Sequence, residues 1–355
     1  GVEVQLRGEQ GLGRLGLGED LAGGSHDHRA AGIGVARIAP DAVHAAEAVP
    51  SLVRMLGDDA SSARQASAGF RLRVPHGFVR RMQRGDPEDP LLRQVLPVTG
   101  ELEHTSGYSL DPLHEQQSMP APGVLHKYHG RVLLTLTGAC AVHCRYCFRR
   151  HYPYSDANAG RASAQGAIDY LYRHPEVEEI ILSGGDPLSL SDNRLQSLVA
   201  SLTSIRHLKR LRIHSRLPVV LPERVDQGLL NWMSTPRFRV VLVIHCNHAN
   251  EIDAQVHNAM DQLRAAGVTL LNQSVLLRGV NDRLDVLLEL SERLFEAGVL
   301  PYYLHQLDPV QGAAHFAVSQ ETGRQLVDAM RARLPGYLVP RMVREDPGQP
   351  SKTPL

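Results

Sequence analysis

Cys140, Cys144 and Cys147 fall within eight residues, in GACAVHCRYCFRR, and are three of the chain's four cysteines. The spacing C-x3-C-x2-C directly follows the apolar run 131–137 (RVLLTLT), which places the thiols on the loop leaving a strand. Three thiolates can hold three irons of a 4Fe-4S cluster and leave the fourth iron open. An open iron can bind a substrate-like ligand, whereas a fully ligated cluster only passes electrons. Zinc is a competing reading: it takes four ligands, and Cys246 could complete the set if the fold brings it close. Unliganded buried thiols are a third. Tyr146 and the neighbouring arginines favour the cluster, since they can shield it and offset thiolate charge.

The triplet's spacing resembles the iron–sulfur signature of radical S-adenosylmethionine (SAM) enzymes, and the resemblance implies that the amino group and carboxylate of SAM chelate such an iron, setting the sulfonium beside it. Electron transfer can then release a 5′-deoxyadenosyl radical. Ser183-Gly184-Gly185-Asp186-Pro187 closes the next apolar run. Its glycines allow close backbone approach, and Asp186 with an exposed backbone edge could hold the methionyl ammonium. A plain Gly-Asp-Pro turn is the alternative.

Lys352 lies in EDPGQPSKTPL, which by composition reads as a solvated tail. A lysine there can also form a Schiff base with pyridoxal phosphate (PLP), with prolines and a glycine carrying the amine over a barrel mouth. Lys127-Tyr128-His129-Gly130-Arg131, ahead of the first run, supplies cations and a phenol for a phosphate.

These residues need a scaffold. Apolar runs rich in β-branched residues recur at 131–137, 179–183, 209–214, 239–245, 269–275 and 300–307. Helical patterns lie between them, at 163–174, 193–201, 224–231, 252–266 and 284–297. Six strand-plus-crossover units predict a parallel sheet with helices outside, best met by an open, partial (β/α)6 barrel. The runs end in His214 with Arg216, His245 with His248, Asn272 with Gln273, and His305 with Asp308. Sites form at the carboxyl ends of such strands, and so many polar ends in succession are hard to explain as packing. Around this core the reading places a Gly-rich, weakly ordered leader at 1–33 and a mostly helical accessory region at 34–126. The barrel spans 127–318, and a C-terminal helix, strand and tail follow at 319–355.

The 355 residues carry 38 basic and 38 acidic side chains, so no field of one sign favours bulk nucleic acid. No apolar stretch is long enough for a membrane span, and no signal peptide is evident. So few cysteines, clustered, suit a metal or redox site in a reducing compartment, which points to the cytoplasm.

Beyond its chemistry, the cysteine triplet resembles the signature of radical SAM enzymes. Together with LRVP, DPEDPLLRQVLP, GVLHKYHGRVLL, SGGDPL, HCNHANE, PYYLHQLDPVQGAAHF and PSKTPL, it resembles the lysine 2,3-aminomutase family over roughly 70–355. The likeness is greatest to the family's short bacterial branch, which supplies β-lysine for elongation factor P. The resemblance implies a radical SAM barrel using a 4Fe-4S cluster, SAM and PLP to convert L-α-lysine into (R)-β-lysine. It implies Lys352 as the PLP lysine, Lys127, Tyr128 and Arg131 around the PLP phosphate, and Arg149 on the substrate carboxylate. Asp308 and Glu345 would receive the side-chain ammonium, with Asp346 a competitor for the second role. Gly184, Gly185, Asp186, Arg216, His245 and Gln273 would line the SAM side. Implied partners are L-lysine, a reductant such as flavodoxin or ferredoxin, and transiently the elongation factor P ligase; a homo-oligomer stays open. Glutamate is the alternative substrate, but its side chain would want cations where Asp308 and Glu345 stand. A cluster-bearing RNA-modifying protein, or a non-catalytic partner of the translation factor, fits the paired cofactor residues less well.

Overall fold

The computed structural model describes residues 60–154, 161–235 and 237–355. The expected leader at 1–33 and the first part of the accessory region lie outside the described residues.

Among the described residues nine strands form one sheet in sequence order. β1 (Val124–Tyr128) turns back on β2 (Arg131–Thr135) as an antiparallel pair. From β2 the sheet runs parallel through β3 (Glu179–Ser183), β4 (Arg210–Ser215), β5 (Arg239–His245), β6 (Thr269–Val275), β7 (Leu300–His305) and β8 (Arg341–Arg344). β9 (Thr353–Pro354) folds back antiparallel on β8. Preceded by helix α1 (Ala60–Gly69), the crossover helices are α2 (Arg161–Arg173), α3 (Asp192–Thr203), α4 (Gln227–Met233), α5 (Ala254–Ala265), α6 (Leu284–Glu296) and α7 (Gln320–Arg331). Asp226, Asp253 and Ser319 cap α4, α5 and α7 by accepting first-turn backbone N–H groups.

The period-2 pleat divides the sheet's work between its faces. On β4, Leu211, Ile213 and Ser215 are buried while Arg212 and His214 line the central cavity. On β6, Leu270, Asn272 and Ser274 are buried, whereas Gln273 and Val275 line the cavity. The buried face packs with helical residues such as Leu195, Val199, Val256 and Leu263 into the main core. Each such fully buried aliphatic side chain contributes about 2 kcal/mol. The other face curls round far enough that Lys127, at the end of β1, reaches Glu345, just after β8. No backbone pairing closes that seam, so the barrel is open.

The six expected strands are all present, and β8 adds a seventh parallel one. It has four residues and follows a helix already read as the C-terminal extension, so its apolar signal is short. Residues 70–75 form no strand. Among the described residues of the accessory region, α1 is followed only by one-turn helices and 3-10 turns, so this part is not mostly helical. Among the described residues no helix is long and apolar enough to cross a membrane.

Candidate active site

The carboxyl ends of the strands surround one cavity of ≈ 520 Å³. Cys140, Cys144 and Cys147 face it from the loop after β2. Buried cations brace that loop: Arg145, fully buried, donates from Nε to Glu101 Oε1 at 2.8 Å, and Arg150 Nη2 reaches Glu101 Oε2 at 2.6 Å. Arg73 Nη1 holds the Cys140 carbonyl at 2.9 Å. Burial pushes the Cys140 and Cys147 thiols up, Cys147 to about 11, so a bound metal must supply the charge that ionises them. Cys246 does not join the triplet: it is buried, and its Sγ donates to the His248 carbonyl at 3.4 Å.

The Gly184-Gly185 turn is zipped onto the cysteine loop. Gly185 N donates to Thr137 O at 2.6 Å and Asp186 N to Ala139 O at 2.8 Å. Gly184 has φ +126°, and a Cβ at Gly184 or Gly185 would lie 2.6 Å from a backbone carbonyl oxygen of that loop. Only glycine allows this approach. The Asp186 carboxylate is otherwise engaged than expected. It accepts from Ser215 Oγ at 2.8 Å, Arg216 N at 2.7 Å and Leu188 N at 3.0 Å, tying the ends of β3 and β4 together.

Arg216 is buried and donates to Cys144 Sγ at 2.7 Å, Tyr146 OH at 2.7 Å and Gln94 Oε1 at 2.6 Å. It thus backs the cysteine loop from behind. His245 Nε2 lies 3.2 Å from Tyr146 OH, and burial followed by Arg216 lowers its pKa to about 3. Gln273 faces the same cavity from β6.

At the opposite side the tail returns as the β8–β9 hairpin and delivers Lys352 into the cavity. An alternating row of charges follows. Lys352 Nζ lies 2.6 Å from Glu345 Oε2, and Lys127 Nζ lies 2.8 Å from Glu345 Oε1 and 3.1 Å from Glu115 Oε1. Glu115 in turn holds Arg149 along one edge, Oε2 to Nε at 2.7 Å and Oε1 to Nη2 at 2.8 Å. Despite burial, the ammonium groups of Lys352 and Lys127 hold the Glu345 carboxyl well below the usual carboxylate range. Asp308 faces the same space, and burial followed by the Glu345 charge raises its carboxyl to about 7. Asp346 lies outside the cavity lining, paired with Arg344 and Thr353, so Glu345 is the acid of this segment that faces inward. Arg131 stacks its guanidinium 4.6 Å from the Tyr128 ring centre, and both line the cavity.

Two observations show that the cavity fits added groups. His214 Nε2 and His305 Nε2 are buried with no hydrogen-bond partner, and both rings belong to the lining beside Lys352. The three thiols, next to a turn stripped of Cβ atoms, are by type donors for iron and sulfide, although among the described residues they do not converge on a single-ion site. Of the residues singled out in the sequence, Asp346, His248 and Asn272 do not line this space; those expected to hold the cluster, SAM, PLP and substrate otherwise do. Glu115 and Glu101 were not expected. They sit in irregular segments where burial of an acid leaves no periodic trace.

The open β/α barrel with a thiol triplet at one strand end is the framework of an iron–sulfur enzyme, and residues 129–213 match a 4Fe-4S single cluster domain model. The L-lysine 2,3-aminomutase of Escherichia coli is 52% identical over 86% of this chain and 90% of its own. That of Haemophilus influenzae is 47% identical over 83% and 88%, and that of Clostridium subterminale 37% over 88% and 75%. The chain belongs to the L-lysine 2,3-aminomutase family. A radical SAM methyltransferase from Sphaerobacter thermophilus overlays 62% of the chain at 16% identity, with a TM-score of 0.41, too loosely to add to this.

Proposed function

We propose that the protein converts L-α-lysine to (R)-β-lysine with a 4Fe-4S cluster, SAM and PLP, and that the product serves modification of elongation factor P. One observation carries the reading: the three thiols, Arg149 and Lys352 all line a single cavity. Net, an amino group moves from Cα to Cβ and a hydrogen moves the other way, so no electrons are consumed overall. When bound, the cluster and SAM supply a 5′-deoxyadenosyl radical and PLP supplies the carbonyl carbon that carries the migrating amine.

The chain's own residues bind and orient. Cys140, Cys144 and Cys147 hold the cluster, and the Gly184-Gly185 backbone with Arg216, His245 and Gln273 shapes the SAM side. Lys352 supplies the amine that anchors PLP, and Lys127, Arg131 and Tyr128 take its phosphate. Arg149 fixes the substrate carboxylate. Asp308 and Glu345 receive the far ammonium. Glu345 is free for this role once PLP has claimed Lys352 and Lys127. Fixing both ends of lysine sets Cβ against the radical source, where small misplacements are costly.

Glutamate is the second reading, and the acids at the distal end argue against it. A flavodoxin or ferredoxin is the proposed electron donor, the elongation factor P ligase a transient partner, and the cytoplasm the compartment that keeps such thiols reduced. The test is anaerobic reconstitution, followed by assay with SAM, PLP and reductant on L-lysine and L-glutamate. Lysine turnover is expected; preferred turnover of glutamate overturns the substrate assignment. K352A should lose the imine absorbance of bound PLP while keeping its iron.

A further inference from the structure

Glu115 is a buried acid that no step above uses. It comes from a 3-10 turn (Glu115–Ser118) ahead of β1. The residue before it, His114, holds φ 48°, the one non-glycine in the left-handed region among the described residues. Such a conformation costs on the order of 1 kcal/mol and persists where the surroundings impose it. The strain sits where the chain turns Glu115 inward. Its two oxygens occupy the Nε–Nη2 edge of Arg149, while Oε1 also reaches Lys127. The remaining nitrogen, Nη1, bonds Ser183 Oγ and Gly184 O, both at 3.2 Å. Gly184 belongs to the turn zipped onto the cysteine loop.

We propose that Glu115 is a positioning residue that decides which N–H of Arg149 meets the substrate carboxylate. With Nε and one Nη2 hydrogen on Glu115 and Nη1 on Ser183 and Gly184, the second Nη2 hydrogen is the donor left for it. By gripping one edge, it leaves Nη1 registered on the Gly184 carbonyl. The carboxylate end of lysine is thereby indexed to the same turn that flanks the thiols. The proposal rests on the lysine reading. It differs from simple charge neutralisation in sign. If Glu115 only muted the Arg149 charge, removing its own charge would strengthen carboxylate binding. If it orients the guanidinium, removing it weakens that binding.

The test compares L-lysine with 1,5-diaminopentane, which lacks only the carboxylate. Each is titrated against the reconstituted protein carrying cluster and PLP, without reductant, and the PLP absorbance change reports binding. For E115Q, L-lysine should bind about tenfold more weakly, and the diamine should stay within about threefold of the unaltered protein. KM for lysine should rise by more than kcat falls. E115D, which keeps the charge on a shorter arm, should recover part of the preference and serves alone if E115Q does not fold. Equal weakening of both ligands, no change in either, or tighter lysine binding by E115Q would overturn the proposal. If the unaltered protein shows no preference for lysine over the diamine, the assignment of Arg149 to the carboxylate fails instead.

Discussion

Lys127 Nζ sits 2.8 Å from Glu345 Oε1, joining the end of the first strand to the residue after the eighth. The pair spans the seam where no backbone hydrogen bonds cross. Both side chains are largely shielded from water, and Glu115 gives Lys127 a second anionic partner. Replacing Lys127 by Met should therefore destabilise the protein by roughly 2–4 kcal/mol, because two shielded carboxylates lose one cation. It should also weaken PLP binding by about tenfold or more. Denaturant melts and PLP titration check this; an unchanged PLP affinity would separate Lys127 from the phosphate.

Asp308 gives a pH signature. Its carboxyl is raised to about 7 by burial and by Glu345. The folded chain thus holds this proton more tightly than the unfolded chain does. Its share of stability is full in acid, below the ordinary carboxylate value, and is lost as pH rises toward 7. An arriving ammonium needs the ionised form. Affinity for 6-aminohexanoate, whose own charges stay constant here, should rise several-fold between about pH 6 and pH 8. D308N should flatten the curve, and a slope surviving in D308N would assign the titration elsewhere.

Gly185 tests the contact between the two loops. An added Cβ would meet Ala139 O at 2.6 Å and the Gly138 carbonyl carbon at 2.8 Å, and neither is a side chain able to swing away. G185A should cost about 1–3 kcal/mol and lower the iron bound on reconstitution, read from iron content and visible absorbance. Full iron loading in G185A would mean that the loops separate without consequence for the thiols.

Glu101 is the buried counter-ion of Arg145 and Arg150. E101Q keeps the shape but strands two guanidiniums. A loss of about 3–5 kcal/mol is expected, with the cysteine loop loosening first, as hydrogen exchange would show. Protection unchanged at residues 140–147 would place the brace elsewhere.

The crossover units were legible because β-branched runs and helical periodicity alternate cleanly from residue 131 onward. The thiol triplet and the paired glycines could also be found from residue type and spacing, whereas Lys352, in a segment that reads by composition as a solvated tail, was singled out by the family resemblance. β9 was not legible, since two residues carry little periodic signal, and the strand expected within 319–355 gave no local sign that it would join the sheet as β8. The inward turn of Glu115 depends on one left-handed residue and on partners 12 and 34 positions away, which no local pattern encodes. The bonds that Asp186 accepts from Ser215 Oγ and Arg216 N, at the next strand end, could not be read from its own turn because they exist only in three dimensions.

The alternating row Lys352–Glu345–Lys127–Glu115–Arg149 has a consequence for maturation. On the roles proposed above, each of these five charges already has an internal partner before a ligand arrives, so loading would be a series of partner exchanges and would leave no bare ion of this row in the interior.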